Sequence, residues 1–419
     1  MRIVRIQPLW AALLVAFPLA AQATLEQQAR EAILRAAKFY RSISTQGGYL
    51  WRYSLDLKTR AGEGPATQTQ VWVQPPGTPA VGQGFLRAYR LTGEPLLLEG
   101  AIAAARALAS GQLDPGGWDY RIEFDPALRE KWRARSLSTY DDDTTQSALR
   151  LLMDVYKTRP DPEIKRSLDR GLEAVLKTQY PNGAWPQRHP APREGYYGYY
   201  TYNDDALADL VRTLIRAWEQ FGEKRFLEAV RRAGDFMILS QRPAPQAAWA
   251  QQYDLEMKPA WARKFEPPSV CSRESARVVR SLIEIYLATG QEKYLKPIPA
   301  AIVWFRRSQI APNRWARFYE LETNRPLYFT RKYELVYTDQ DLPTHYAFQS
   351  SFGIPETIAE YEAWEKARGP TLAQQPKPPA ERVRQVIAAL DPQGRWVTGG
   401  WIESRTFNQN LNLLCHFLE

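Results

Sequence analysis

The chain has 419 residues, of which 44% are hydrophobic and 12% aromatic, enough to bury a large core and to exclude disorder over most of its length. Its 55 Lys and Arg against 46 Asp and Glu give a formal charge of +9, which suits an acidic partner. Only two cysteines and three scattered histidines (His189, His345, His416) are present, so no zinc module is encoded.

Residues 1–23 read as a secretory signal. Arg2 and Arg5 give the positive start, and Leu9 to Ala20 is an apolar run too short for a typical membrane span. Ala21-Gln22-Ala23 is a small-residue cleavage site. The expectation is a mature chain that starts at Thr24, carries +7 once Arg2 and Arg5 are gone, and is exported to the periplasm or beyond the cell. No later segment is apolar enough to cross a bilayer. At that address an acidic glycan or a membrane surface is a better partner than nucleic acid.

Amphipathic helices with apolar residues at i, i+3, i+4 and i+7 are predicted over Leu25–Ile43, Ala80–Leu91, Leu96–Leu108, Thr144–Tyr156, Pro162–Lys177, Asp204–Phe221, Phe226–Leu239, Glu274–Leu287 and Tyr294–Ser308. They come in pairs joined by breaks such as Leu91-Thr92-Gly93-Glu94-Pro95 and Ala288-Thr289-Gly290-Gln291. Gln70–Val73 and Leu327–Tyr337 are the best strand-like runs. Gln374–Pro379 reads as a Pro-rich linker between a main domain over 24–373 and a C-terminal segment over 380–419 that packs on it.

The helix pairs repeat. Gly47-Gly48-Tyr49-Leu50-Trp51, Gly116-Gly117-Trp118-Asp119-Tyr120 and Asn182-Gly183-Ala184-Trp185-Pro186 start roughly 65–70 residues apart. Two helices and a long loop per unit predict an all-α fold, an (α/α) toroid whose long loops gather at one end and form a cleft. The 14 Trp and 22 Tyr either fill its core or offer faces to sugar rings, and for any single Trp the core is favoured. Cys271 and Cys415 either pair in an oxidising compartment or stand as separate buried thiols.

Two acidic runs stand at predicted helix starts, about one repeat apart. They are Thr139-Tyr140-Asp141-Asp142-Asp143-Thr144-Thr145 and Tyr200-Thr201-Tyr202-Asn203-Asp204-Asp205-Ala206. N-capping explains one Asp in such a run. Three in succession repel one another unless a cation or a basic group lies between them. Carboxylate and amide oxygens are hard ligands, so Ca2+ is the natural guest, although the twelve-residue spacing of an EF-hand is absent. Two basic, aromatic runs follow, Trp261-Ala262-Arg263-Lys264-Phe265-Glu266 and Trp315-Ala316-Arg317-Phe318-Tyr319-Glu320 with Asn324-Arg325-Pro326 and Arg331. Arg beside aromatics offers a carboxylate fork next to a stacking platform, and a surface Arg–Glu pair is the plainer alternative.

Taken in order, these segments resemble polysaccharide lyase family 10, the toroidal pectate lyases, over roughly Trp118 to Glu360. Asp141-Asp142-Asp143-Thr144-Thr145 stands where that family has Asp-Asn-x-Ala-Thr, and Gly183-Ala184-Trp185-Pro186-Gln187 is similar to its Gly-Gly-Trp-Pro-Gln turn. Asn203-Asp204-Asp205-Ala206 is shared as written. Trp249-Ala250-Gln251-Gln252-Tyr253-Asp254, Ala262-Arg263-Lys264-Phe265-Glu266-Pro267-Pro268-Ser269 and Trp315-Ala316-Arg317-Phe318-Tyr319-Glu320 continue the likeness. Asp142 replaces the usual Asn, Gln252 or Tyr253 a usual His, and Lys332-Tyr333-Glu334 after Arg331 is unusual.

The resemblance implies cleavage of α-1,4-polygalacturonate by calcium-assisted β-elimination. Asp141 and Asp204 carry over as acidic site residues, with Asp142, Asn203 and Asp205 beside them on the metal. Arg263 carries over as the base. Arg317 and Arg331 are the substrate clamps, and Arg325, Lys264 and Trp185 are further expected contacts with substrate. A monomer is expected. Three alternatives remain open. One is a glycoside hydrolase on a similar toroid using Asp141 and Asp204 as acid and base. Another is a terpene cyclase suggested by Gln112-x-x-x-Gly116-x-Trp118. The third is an exported glycan-binding protein without turnover.

Overall fold

The computed structural model describes residues 23–192, 195–367 and 376–419. The expected signal segment lies outside the described residues, except for its last residue, and so do the first residues of the expected linker. Thirteen α-helices are described: α1 (Leu25–Ser42), α2 (Thr78–Thr92), α3 (Pro95–Gly111), α4 (Pro126–Arg133), α5 (Thr144–Thr158), α6 (Pro162–Thr178), α7 (Ala206–Phe221), α8 (Lys224–Leu239), α9 (Ser272–Thr289), α10 (Ile298–Arg307), α11 (Ile354–Ala367), α12 (Ala380–Ala388) and α13 (Ser404–Leu418). None is long and apolar enough to cross a membrane.

Twelve of them form two layers of an (α/α) toroid. The inner helices follow one another as α13, α2, α5, α7, α9 and α11. The first five lean on outer helices drawn from α12, α1, α3, α6, α8 and α10, and α11 packs on α9. Near their starts α5 and α7 are buried all round, polar residues included: every residue from Thr144 to Leu149 and from Ala206 to Val211 is buried. All predicted helices are present. The chain also forms α4, α11, α12 and α13, which the periodicity did not single out. Among these, α13 completes the inner layer by packing on α2 and α1. Cys271 and Cys415 are separate, buried thiols.

Helices alternate in direction, so every inner helix presents its N-terminus at the same end. Short antiparallel pairings stitch the preceding loops into a rim there. Ser138–Thr139 pairs with Arg188–His189, Tyr200–Thr201 with Gln252–Tyr253, and Val270–Cys271 with Phe318–Tyr319. Gln70–Trp72 pairs with Arg121–Glu123, and Arg52–Ser54 with Trp401–Glu403.

The Gly/Trp turns are what lock each loop to its outer helix. The indole Nε1 of Trp118, Trp185, Trp249, Trp315 and Trp396 donates to the carbonyls of Leu108, Val175, Met237, Phe305 and Val386, at 2.7 to 2.9 Å. Each acceptor lies in the last turn of an outer helix, where carbonyls lack intrahelical donors. Gln112, Gln179 and Gln241 add a second clasp. Each amide donates to its own turn (Gly116, Gly183, Ala247) and to the next outer helix or the residue before it (Ser167, Ala229, Pro297). The Gln/Trp spacing that suggests a cyclase is therefore a structural joint of the toroid. Trp185→Phe, which removes the indole donor and leaves the Val175 carbonyl only the longer bond from the Thr178 hydroxyl at 3.2 Å, is expected to cost about 1–3 kcal/mol. Chemical denaturation would measure this, and turnover per folded molecule should not change.

Candidate active site

The two acidic runs fold into the same turn, one repeat apart. Thr139 Oγ1 accepts from the Asp141 amide at 3.1 Å, and Thr201 Oγ1 from the Asn203 amide at 3.0 Å. Tyr140 and Tyr202 are buried, with their hydroxyls on Thr178 at 2.6 Å and Ser240 at 2.7 Å. The next two residues of each run then take left-handed backbone. Asp142 has φ 49° and Asp143 58°, and Asp204 has φ 47° and Asp205 63°. Short polar side chains tolerate this conformation better than others do, and two such residues in succession turn their carboxylates apart. The first Asp of each pair faces the cleft. The second turns back into the toroid, where Asp143 meets Arg150 at 2.6 Å and Asp205 meets Arg277 at 3.1 Å and Arg273 at 3.4 Å.

Carboxylate oxygens of Asp141, Asp142 and Asp204 consequently lie within 4.8 Å of one another. Burial and the charges of Asp141 and Asp204 push the Asp142 carboxyl up to about 7. Burial and Asp141 raise Asp204 to about 6, against the opposing pull of Arg273. Few groups relieve the crowding. Tyr120 donates to Asp141 Oδ2 at 2.7 Å, Gln74 to Asp142 Oδ2 at 2.8 Å, and Asn203 Nδ2 to Asp204 Oδ2 at 2.7 Å. Two oxygens, Asp141 Oδ1 and Asn203 Oδ1, are buried with no hydrogen-bond partner. Three crowded carboxylates and two orphaned acceptors fit a hard divalent cation with oxygen ligands. Of the residues expected on the metal, Asp141, Asp142, Asp204 and Asn203 come together. Asp205 does not, because Arg273 and Arg277 hold it.

A basic belt borders the cluster. Arg263 donates from Nε to Glu266 Oε2 at 2.9 Å and from Nη2 to Oε1 at 2.6 Å, with its guanidinium over Phe265 and Tyr346. The Glu266 bonds raise its proton affinity above the ordinary arginine value, and the field of Asp204 adds to this. Arg273 Nη1 lies 3.8 Å from Asp204 and 3.0 Å from Glu274. Arg317 is buried, donating to the Ala347 carbonyl at 2.9 Å and the Tyr346 hydroxyl at 3.1 Å. Tyr346 in turn donates to Glu266 at 3.0 Å, so Arg317, Tyr346, Glu266 and Arg263 form one network.

Other expected contacts fall elsewhere. Arg331 is exposed and pairs with Asp341 at 3.3 Å, and Arg325 stacks on Tyr337 at 3.6 Å. Lys264 lies 3.8 Å over the Tyr333 ring. Trp185 is 1% exposed and bonded to α6, so it is a core residue and offers no face to a sugar. Sequence reasoning missed Arg273, Glu274, Tyr120, Gln74 and Tyr346. Of these, Arg273 had a signal. It opens α9 in the third unit, about where the acidic turns open α5 and α7.

Residues 112–314 match the family described as Pec_lyase, pectic acid lyase. This match, just under half of the chain, supports a polysaccharide lyase. Two solved structures of a family 10 polysaccharide lyase from Cellvibrio cellulosa are similar. One is a mutant in complex with trigalacturonic acid, 20% identical, with a TM-score of 0.52, covering 68% of this chain and 98% of that one. The other has 21% identity, the same TM-score, and covers 68% and 97%. An unsaturated glucuronyl hydrolase specific for heparin is 11% identical, with a TM-score of 0.50 over 94% of this chain and 96% of its own. No curated protein sequence matches the chain. The pectic acid lyase stretch spans both acidic turns, Arg263 and Arg273.

Asp142 and Asp204 hold protons more tightly in the fold than in the unfolded chain, where Asp titrates near about 3.9. The metal-free fold therefore loses stability as pH rises from about 4 to about 7. A bound divalent cation opposes that loss, so the rise in melting temperature on adding Ca2+ is expected to be larger at about pH 8 than at about pH 5. Asp142→Asn removes one of the repelling charges and should shrink the difference. Scanning calorimetry at both pH values checks this, and equal shifts would contradict it.

Proposed function

We propose that the protein cleaves polygalacturonate by calcium-assisted β-elimination, as an exported monomer acting in the periplasm or outside the cell. The observation that carries this reading is the cluster of Asp141, Asp142 and Asp204, with two unpaired buried oxygens, beside the Arg263–Arg273–Arg317 belt. Those three carboxylates and Asn203 Oδ1 would hold the ion. Bound there, Ca2+ supplies a Lewis acid that draws the uronate carboxylate and acidifies the adjacent C5 proton.

The chain's own residues do the rest. Arg273, already shared between Asp204 and Glu274, has a guanidinium at the edge of the cluster, where it stabilises negative charge growing on the uronate carboxylate. Glu266 engages Nε and Nη2 of Arg263, which fixes the guanidinium plane and leaves Nη1 to meet the C5 proton. Arg317 and Tyr346 hold Glu266 from behind, so they position the base without touching substrate. Arg263 takes the C5 proton, the C4–O bond breaks with its electron pair leaving on O4, which is protonated from solvent, and an unsaturated uronate remains with no water added across the bond. A hydrolase pair is less well served, because a third carboxylate, Asp142, crowds Asp141 and Asp204, and residues 112–314 match a lyase family.

The direct test follows the ultraviolet absorbance of the unsaturated product from polygalacturonate, with chelator and with Ca2+ restored. Product without added metal in excess chelator would overturn the reading. Arg263→Ala is expected to lower kcat by about 10²–10⁴-fold while Ca2+ affinity changes little. Because Glu266 raises the proton affinity of Arg263, the neutral base is scarce at neutral pH. The rate should therefore climb about tenfold per pH unit into the alkaline range. A plateau near neutrality would assign the base to another group.

A further inference from the structure

Beyond the matched stretch of residues 112–314, a cavity of about 220 Å3 opens at the rim, lined by Trp51, Arg52, Glu63, Pro76, Glu403 and Arg405. Strands Arg52–Ser54 and Trp401–Glu403 build it with the first turn of α13. Arg52 and Glu403 are direct antiparallel partners, so their side chains share one face. The Arg52 guanidinium lies 5.2 Å over the Trp401 ring. Among the described residues, Arg52, Glu63, Glu403 and Arg405 form no ion pairs, although all four line one small space.

The cavity is tied to the acidic cluster through one residue. Trp51 Nε1 donates to the Gln74 carbonyl at 2.9 Å, and the Gln74 amide donates to Asp142 Oδ2 at 2.8 Å. The Glu63 charge reaches Asp142 as well, adding to the effects that raise its carboxyl. A single span of chain thus sets the spacing between cavity and cluster.

The donor set suits one acidic sugar. The volume is of the order of a single pyranose ring, and Trp51 and Pro76 give it apolar walls. Arg52 and Arg405 can grip a carboxylate, and Glu63 and Glu403 can accept from ring hydroxyls. We propose that this cavity is an additional uronate subsite, holding a sugar of the chain that runs on from the acidic cluster past Asp142. The inference rests on the polyuronate reading and extends it to residues outside the family-matched stretch.

Equilibrium binding of trigalacturonate, measured with chelator present so that the metal cluster contributes little and no cleavage occurs, isolates the subsite. Arg52→Gln and Arg405→Gln change exposed side chains and should leave the melting temperature within a degree or two. Each is expected to weaken trigalacturonate binding about tenfold, the effect of one charge-assisted contact, with Arg405→Lys recovering part of it. On polygalacturonate with Ca2+, KM should rise by a similar factor with kcat within about threefold. Undetectable binding to the wild type, or binding to both Gln variants as tight as to the wild type, would overturn the subsite. The lyase reading is judged separately, by whether the wild type forms unsaturated product.

Discussion

Mutual repulsion among Asp141, Asp142 and Asp204 is the constraint on which the rest of the site depends. Like charges this close cost several kcal/mol in a partly buried setting unless something answers them. The backbone keeps them together by using left-handed turns at both Asp142–Asp143 and Asp204–Asp205. These turns send alternate carboxylates to opposite fates. Asp143 and Asp205 are neutralised by Arg150, Arg273 and Arg277 inside the toroid, which leaves the other three to face the cleft with too few partners. A site in this state is built to gain by binding a cation.

The toroid supplies the rigidity that such a site needs. Each acidic turn sits between a buried Tyr, whose hydroxyl is bonded to an outer helix, and the first turn of an inner helix. The Trp and Gln joints fix every loop to its outer helix, and the short strand pairings fix each loop to the next. Movement of one unit would strain its neighbours. The two halves of the metal-side cluster come from two units, so its spacing is set by how those units pack and not by any one loop.

Much of this was legible in the sequence. The 3.6-residue periodicity gave nine helices, and the repeated Gly/Trp turns gave the toroid. Two acidic runs one repeat apart located the cluster. What failed did so for physical reasons. α4 is short and exposed, and α11 and α12 bury few residues, so their apolar stripes are too narrow to stand out. Trp185 sits beside a conspicuous turn, yet the turn's function is to cap α6, and its indole is consumed in doing so. Arg263 and Glu266 were seen as either a functional fork or a plain ion pair, and they form the pair. Asp205 differs from Asp204 only in facing the other way, which depends on backbone angles that composition does not record. Arg273 and Tyr346 join the site from separate loops, and only packing brings them together.

The claim at the centre of this account is that the three carboxylates form a divalent-cation site. Calorimetric titration of Ca2+ into the metal-free protein and into Asp204→Asn tests it most directly. One ion per chain is expected for the wild type, with at least about tenfold weaker binding in the variant, which keeps the shape of the side chain and loses the charged ligand. No binding to the wild type, or an affinity unchanged by Asp204→Asn, would contradict it.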